Sequence, residues 1–204
     1  MLKKFPEGYT PEEVGIKVAN RFLSGKHMLH GGKWIHYAEV CTWYGAVRFA
    51  SESKNKELSR QLQERFDYLC TAERDLLPIK NHVDLNMIGC LPLELYQITK
   101  KIQYLDLGIS YADTQWELPA EASAEEKRWA DKGLSWQTRL WIDDMYMITI
   151  LQSQAYRATG NRKYIDVARK CAKYFIANIR EDGPQRVELG AHRTRTLTLD
   201  RLIK

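Results

Sequence analysis

Two short acidic blocks hold the residues best suited to chemistry. One is His82-Val83-Asp84-Leu85-Asn86 and the other is Trp141-Ile142-Asp143-Asp144-Met145-Tyr146. Each stands where an apolar helical pattern begins, so each carboxylate meets the free amides and the positive end of a helix. An Asp at a helix start is most often a cap and nothing more. Asp143 is the exception, because Asp144 already fills the capping position and Asp143 is an extra acid beside it. Adjacent carboxylates repel, which favours a proton on one of them, and Trp141 and Tyr146 are expected to shield the pair from water. A carboxyl group that keeps its proton is what general-acid chemistry needs.

Other chemistries lose ground on the same residues. His27, His30, His36, His82 and His192 make no HxH or HExxH spacing, so no metal site is expected. There is no GxSxG, no P-loop and no GxGxxG, which removes serine-nucleophile and nucleotide-binding readings. Cys41, Cys70, Cys90 and Cys171 form no CxxC pair and sit in apolar helical contexts, as buried free thiols do. The formal net charge is +5, but Lys and Arg are scattered among acids, so no nucleic-acid partner is expected. The start MLKKFPEGYTPEEVG lacks the apolar run of a secretory signal, and no stretch is long enough to span a membrane. These features lead to the expectation of a cytoplasmic protein with no membrane partner.

The elements that must position the acids are helices. Thr10 followed by Pro11, Glu12 and Glu13 is a helix start, and Ser24-Gly25 closes that helix after Leu23. Apolar residues recur at helical spacing from Tyr37 to Ala50. Leu58, Leu62, Phe66 and Leu69 mark one side of a charged helix from about Lys56 to Thr71. A sixty-residue shift then superposes Asp84 on Asp144, Met87 on Met147, Ile88 on Ile148 and Leu91 on Leu151. It also superposes Tyr96 on Tyr156, Thr99 on Thr159, Tyr104 on Tyr164, Asp106 on Asp166 and Ala112 on Ala172. Each copy reads as helix, polar turn, helix. A fainter copy puts Phe49 in the place of Tyr96, and Tyr37 in the place of Asp84. Repeated helical hairpins bury their faces by stacking on one another. The long links at 72–83 and 118–140 suit a ring whose loops gather at one mouth better than an open solenoid. Pro92 inside the second copy predicts a kink or a delayed helix start.

The blocks HVDLNMIGCLPLELY and LWIDDMYMITILQSQAYRATGNRKYID, with WIHYAEVCTWYGA earlier in the chain, resemble the unsaturated glucuronyl and rhamnogalacturonyl hydrolases of glycoside hydrolase families 88 and 105. The resemblance covers roughly residues 10–180. It implies an all-α (α/α)6 toroid of helical hairpins, incomplete in this chain. Residues 1–180 are then its N-terminal part and 181–204 an irregular tail. It also implies hydrolysis of oligosaccharides that carry a 4,5-unsaturated uronic acid at the non-reducing end, without metal or organic cofactor. In that chemistry an Asp protonates the C4=C5 vinyl ether, water adds at C5, and the hemiketal collapses to release the neighbouring sugar.

Carried onto these motifs, the proton donor is Asp143 and the second essential carboxylate is Asp84. Tyr37 matches an aromatic at the sugar site. Trp43 and Trp136 are expected to stack on sugar, and Asp144 is placed with the substrate contacts. The PLELY and WIDDMYM wording leans towards rhamnogalacturonan fragments. The exposed hairpin faces of an unclosed toroid favour self-association. A non-catalytic helical-repeat scaffold, an inactive truncated hydrolase and another (α/α)6 enzyme such as a sugar epimerase remain the competing readings. The extra acid at Asp143 and the lack of paired His residues speak against the scaffold and the epimerase.

Overall fold

A computed structural model describes residues 5–139 and 141–179. The expected tail at 181–204 and His192 lie outside those residues. Helix α1 spans Pro11–Leu23 and opens as its sequence predicts. The Thr10 hydroxyl accepts the Glu13 N–H at 3.2 Å, and the Glu13 carboxylate accepts the Thr10 N–H at 2.9 Å. This reciprocal cap satisfies two amides that have no partner within the helix. The loop that follows contains a two-stranded antiparallel ladder, β1 (Leu29–His30) with β2 (Trp34–Ile35), turning at Gly31 and Gly32 with positive φ.

Helix α2 (Tyr37–Glu52) is capped by His36, and α3 (Lys56–Thr71) by Asn55. Leu58, Leu62, Phe66 and Leu69 are all buried, so the predicted stripe is the core face of α3. Each such side chain removed from water contributes about 1.5–3 kcal/mol. Helix α4 (Val83–Asn86) passes through a 3₁₀ turn at Met87–Gly89 into α5 (Cys90–Thr99). Pro92 explains the break. It has no N–H for the Ile88 carbonyl, and it sits in the first turn of α5, where no partner is required. Helices α6 (Ile102–Thr114), α7 (Ala124–Asp131), α8 (Ile142–Thr159) and α9 (Arg162–Ile179) complete the described fold.

Three hairpins result: α2 with α3, α5 with α6, and α8 with α9. Their first helices, α2, α5 and α8, lie side by side. The two copies of the repeat are alike in detail. Lys100 and Gly160 both end their helices in the left-handed conformation and donate to the carbonyls of Tyr96 and Tyr156, at 2.8 and 2.7 Å. Thr99 and Thr159 both turn back to bond the carbonyl four residues earlier. Tyr104 and Tyr164 both donate their hydroxyls to an Asp of the preceding hairpin, Asp67 and Asp113. Within α5/α6 the backbones approach so closely that a Cβ on Gly108 would fall 2.4 Å from Leu93 Cγ and 3.0 Å from the Gly89 carbonyl.

The links do gather at one end. Gln137 Nε2 donates to the Lys80 carbonyl at 3.4 Å, joining the two long links. Ser135 and Trp136 donate to the carbonyls of Gln115 and Thr114, which lay the second link across the end of α6. Among the described residues no helix is long and apolar enough to cross a membrane.

Candidate active site

The repeat has a chemical consequence. Asp84 near the start of α4 and Asp144 near the start of α8 are equivalent residues, and both bind Arg139. The Arg139 guanidinium donates from Nη2 to Asp84 Oδ1 at 3.0 Å and from Nη1 to Oδ2 at 3.4 Å. Its Nε and Nη2 donate to Asp144 Oδ1 at 3.0 and 2.5 Å. The backbone N–H groups of Arg139 and Trp141 reach Asp144 Oδ2 at 2.6 and 3.3 Å. Asp144 therefore accepts four hydrogen bonds and is 0% exposed. Burial works against the charge on Arg139, but its bonds to Asp144 and Asp84 hold its pKa above the ordinary arginine value.

Asp143 differs from both neighbours. Its carboxylate lies 4.0 Å from Arg139 Nη2, and its side chain remains 44% exposed. Asp84, Asp143 and Asp144 each bring one oxygen to within 4.8 Å of the others, a spacing that could hold a cation. The guanidinium already supplies a positive charge among them. His82, which caps α4 by accepting the Asp84 N–H at 3.2 Å, stands 3.6 Å from the Asp84 carboxylate. Burial, with help from the Arg139 charge, pushes its pKa below 6.5 despite Asp84.

Tyr37 opens α2, as Asp84 and Asp144 lie at the openings of α4 and α8, and its ring packs 4.3 Å from that of His36. One turn further on, Cys41 meets the hydroxyl of Tyr146 from α8. Deeper still, Tyr44 and Gln154 are hydrogen-bonded, and Arg48 and Arg157 both hold the buried Glu94 of α5. These contacts climb α2 and α8 in the same direction, so the two helices run parallel and start at the same end. Tyr37, Asp84 and Asp143 thus share that end.

Three expectations need correction. Trp43 is 0% exposed; it packs on Phe22, His27 and Phe66, and its indole N–H is donated to the Leu62 carbonyl at 3.2 Å, so it has no face for a sugar. Trp136 is 5% exposed and donates to Thr114, so it braces the link instead. Asp144 has both oxygens committed and no surface, so it positions Arg139 and does not contact substrate. The expected shielding of Asp143 is also weaker than its neighbours suggested, because Trp141 and Tyr146 are themselves about half exposed. The sequence reading missed Arg139. Its signal was the repeat itself: two equivalent acids brought to one end of adjacent hairpins need a cation, and Arg139 is the base that immediately precedes the second block.

Among the described residues, stacked helical hairpins with carboxylates gathered where their first helices begin define an all-α protein with an acidic site. Residues 16–182 match the model of Glycosyl Hydrolase Family 88. The chain belongs to this family, and is a glycoside hydrolase of the kind that acts on unsaturated uronic acids. Comparison with curated proteins and with solved structures gave no match.

Proposed function

We propose that the protein hydrates the C4=C5 bond of an unsaturated uronic acid at the non-reducing end of rhamnogalacturonan fragments. Asp143 gives its proton to C4, and a water molecule adds at C5 and returns a proton to the Asp143 carboxylate. The resulting hemiketal opens and the neighbouring sugar leaves. The observation that supports this assignment most is the inequality of the three acids. Asp144 is sealed and Asp84 is tied to Arg139 by both oxygens, whereas Asp143 stands beside them with its carboxyl open to solvent. A proton donor must reach the substrate, and of the three only Asp143 is this exposed. Asp84 keeps lone pairs beyond those used by Arg139, and so can accept from substrate hydroxyls while its position is fixed. Tyr37 is the aromatic that meets the sugar ring at the same end. One donor and one positioned water suffice, so the two-carboxylate spacing rule of retaining and inverting glycosidases does not govern this site.

The test is a substrate panel. Unsaturated disaccharides from rhamnogalacturonan, from homogalacturonan and from glycosaminoglycans are mixed with the protein, and the ultraviolet absorbance of the C4=C5 bond is followed. The rhamnose-linked compound should lose absorbance fastest. Faster loss with a hexosamine-linked compound would overturn the substrate assignment and leave the hydration chemistry standing.

A further inference from the structure

An anionic substrate is repelled by the acids that would act on it. The uronic acid carries a carboxylate at C5, while Asp84, Asp143 and Asp144 outnumber Arg139, whose guanidinium is already taken by Asp84 and Asp144. Like charges held this close disfavour binding, so the uronate needs donors from elsewhere at the same end. Two histidines can supply them. His36 caps α2 and His82 caps α4. Each does so with Nδ1, which accepts the N–H of Ala38 at 3.1 Å in one case and of Asp84 at 3.2 Å in the other. A ring nitrogen that accepts carries no proton, so each neutral imidazole holds its proton on Nε2, turned away from the amide it caps. Neither Nε2 has a hydrogen-bond partner among the described residues. Both rings reach solvent: His36 is half-buried, and the His82 side chain is 39% exposed.

The two caps stand close to the acids and to each other. The ring of His30, at the end of β1, lies 5.7 Å from that of His36, and its charge also acts on His82. His82 Nδ1 is 3.6 Å from the Asp84 carboxylate, and Asp84 and Asp143 bring oxygens within 4.8 Å of one another. The His36 ring packs 4.3 Å from Tyr37, the aromatic proposed to meet the sugar. From this arrangement we infer that the Nε2–H groups of His36 and His82 receive the uronate carboxylate and so select the free acid over its ester. The carboxylate is borne by C5, the carbon to which water adds, so holding it fixes the reacting carbon beside the acids. A neutral ring suits this task, because it donates to the sugar without being drawn onto Asp84, and burial keeps His82 in that form at neutral pH. The inference rests on the uronyl hydrolase reading, but not on which acid gives the proton.

The unsaturated rhamnogalacturonan disaccharide and the methyl ester of its uronic acid differ in this one charge. kcat/KM is measured on both with the full chain, with His36→Asn and with His82→Asn. Asn keeps an oxygen that can cap the helix and loses the Nε2–H. Each variant should lower kcat/KM for the acid about tenfold and leave the ester unchanged. Comparing each variant with the unsubstituted chain cancels any difference in reactivity between the two sugars. Equilibrium binding of both sugars to Asp143→Asn, read by tryptophan fluorescence, repeats the comparison without turnover, and there the acid should bind about tenfold more tightly. Preferential binding of the acid by a chain that hydrolyses neither sugar would count against the hydrolase reading and support the histidine contacts. The inference is overturned if acid and ester bind equally or not at all. It is equally overturned if the variants keep the preference for the acid, or if they weaken both sugars alike, as loss of a purely structural cap would.

Discussion

Asp84 and Asp144, sixty residues apart and equivalent by repeat, are held by a single guanidinium, that of Arg139. The link between the second and third hairpins thereby carries a charge that lets two buried acids coexist at the helix starts. Removing one partner of such a group leaves the others as uncompensated charges. Arg139→Ala should lower the stability of the chain by about 3–5 kcal/mol, as read by urea denaturation. A loss below about 1 kcal/mol would place the pair in the class of exposed ion pairs.

The close crossing inside the second hairpin gives a prediction of another kind. Gly108→Ala would put a methyl group into Leu93 and against the Gly89 carbonyl. Such overpacking costs about 1–3 kcal/mol, and the loss should appear as a lowered thermal midpoint. An unchanged midpoint would show that α6 can slide away from α5 without cost.

Acid should weaken the protein through His82. Its pKa in the fold lies below the ordinary 6.5, mainly because burial disfavours the charged ring. Above 6.5 the ring is neutral in both the folded and unfolded chain and contributes no slope. As pH falls through 6.5 the unfolded chain takes up a proton that the folded one resists, so stability declines until the pH passes below the folded value. His82→Asn keeps a side chain that can cap α4 but does not titrate, so the difference in stability between it and the unsubstituted chain should shrink as pH falls from 7 to 5. A constant difference would remove His82 from the account.

The two tyrosine contacts of the repeat should behave alike. Tyr104→Phe and Tyr164→Phe each delete one hydroxyl bond to an Asp of the preceding hairpin, at about 1 kcal/mol apiece. The two sites belong to different hairpin contacts, so the double variant should lose the sum. Marked non-additivity, measured by denaturant titration, would mean that the hairpins are coupled more tightly than their shared hydrogen bonds imply.

Much of the fold was legible because hairpins repeat. The periodicity that marked α3 is its buried stripe, and Tyr96, Thr99 and Tyr104 recur in Tyr156, Thr159 and Tyr164 because the same turn and the same contact recur. Pro92 announced the 3₁₀ turn before α5, since a missing N–H can be read from the sequence. The site was only half legible. A helix start and an extra acid can be recognised locally, so Asp84 and Asp143 could be chosen. Trp43 and Trp136 could not be judged from type, because a large ring suits a core and a sugar face equally and only the neighbours decide.

Asp143 is the proposed proton donor. Asp143→Asn preserves size and exposure but has no acid to give, so the decay of C4=C5 absorbance on an unsaturated rhamnogalacturonan disaccharide should slow by at least about 100-fold. Helical circular dichroism should stay as in the unsubstituted chain. A variant that folds and consumes the substrate at the full rate would contradict the assignment and return the proton to another group.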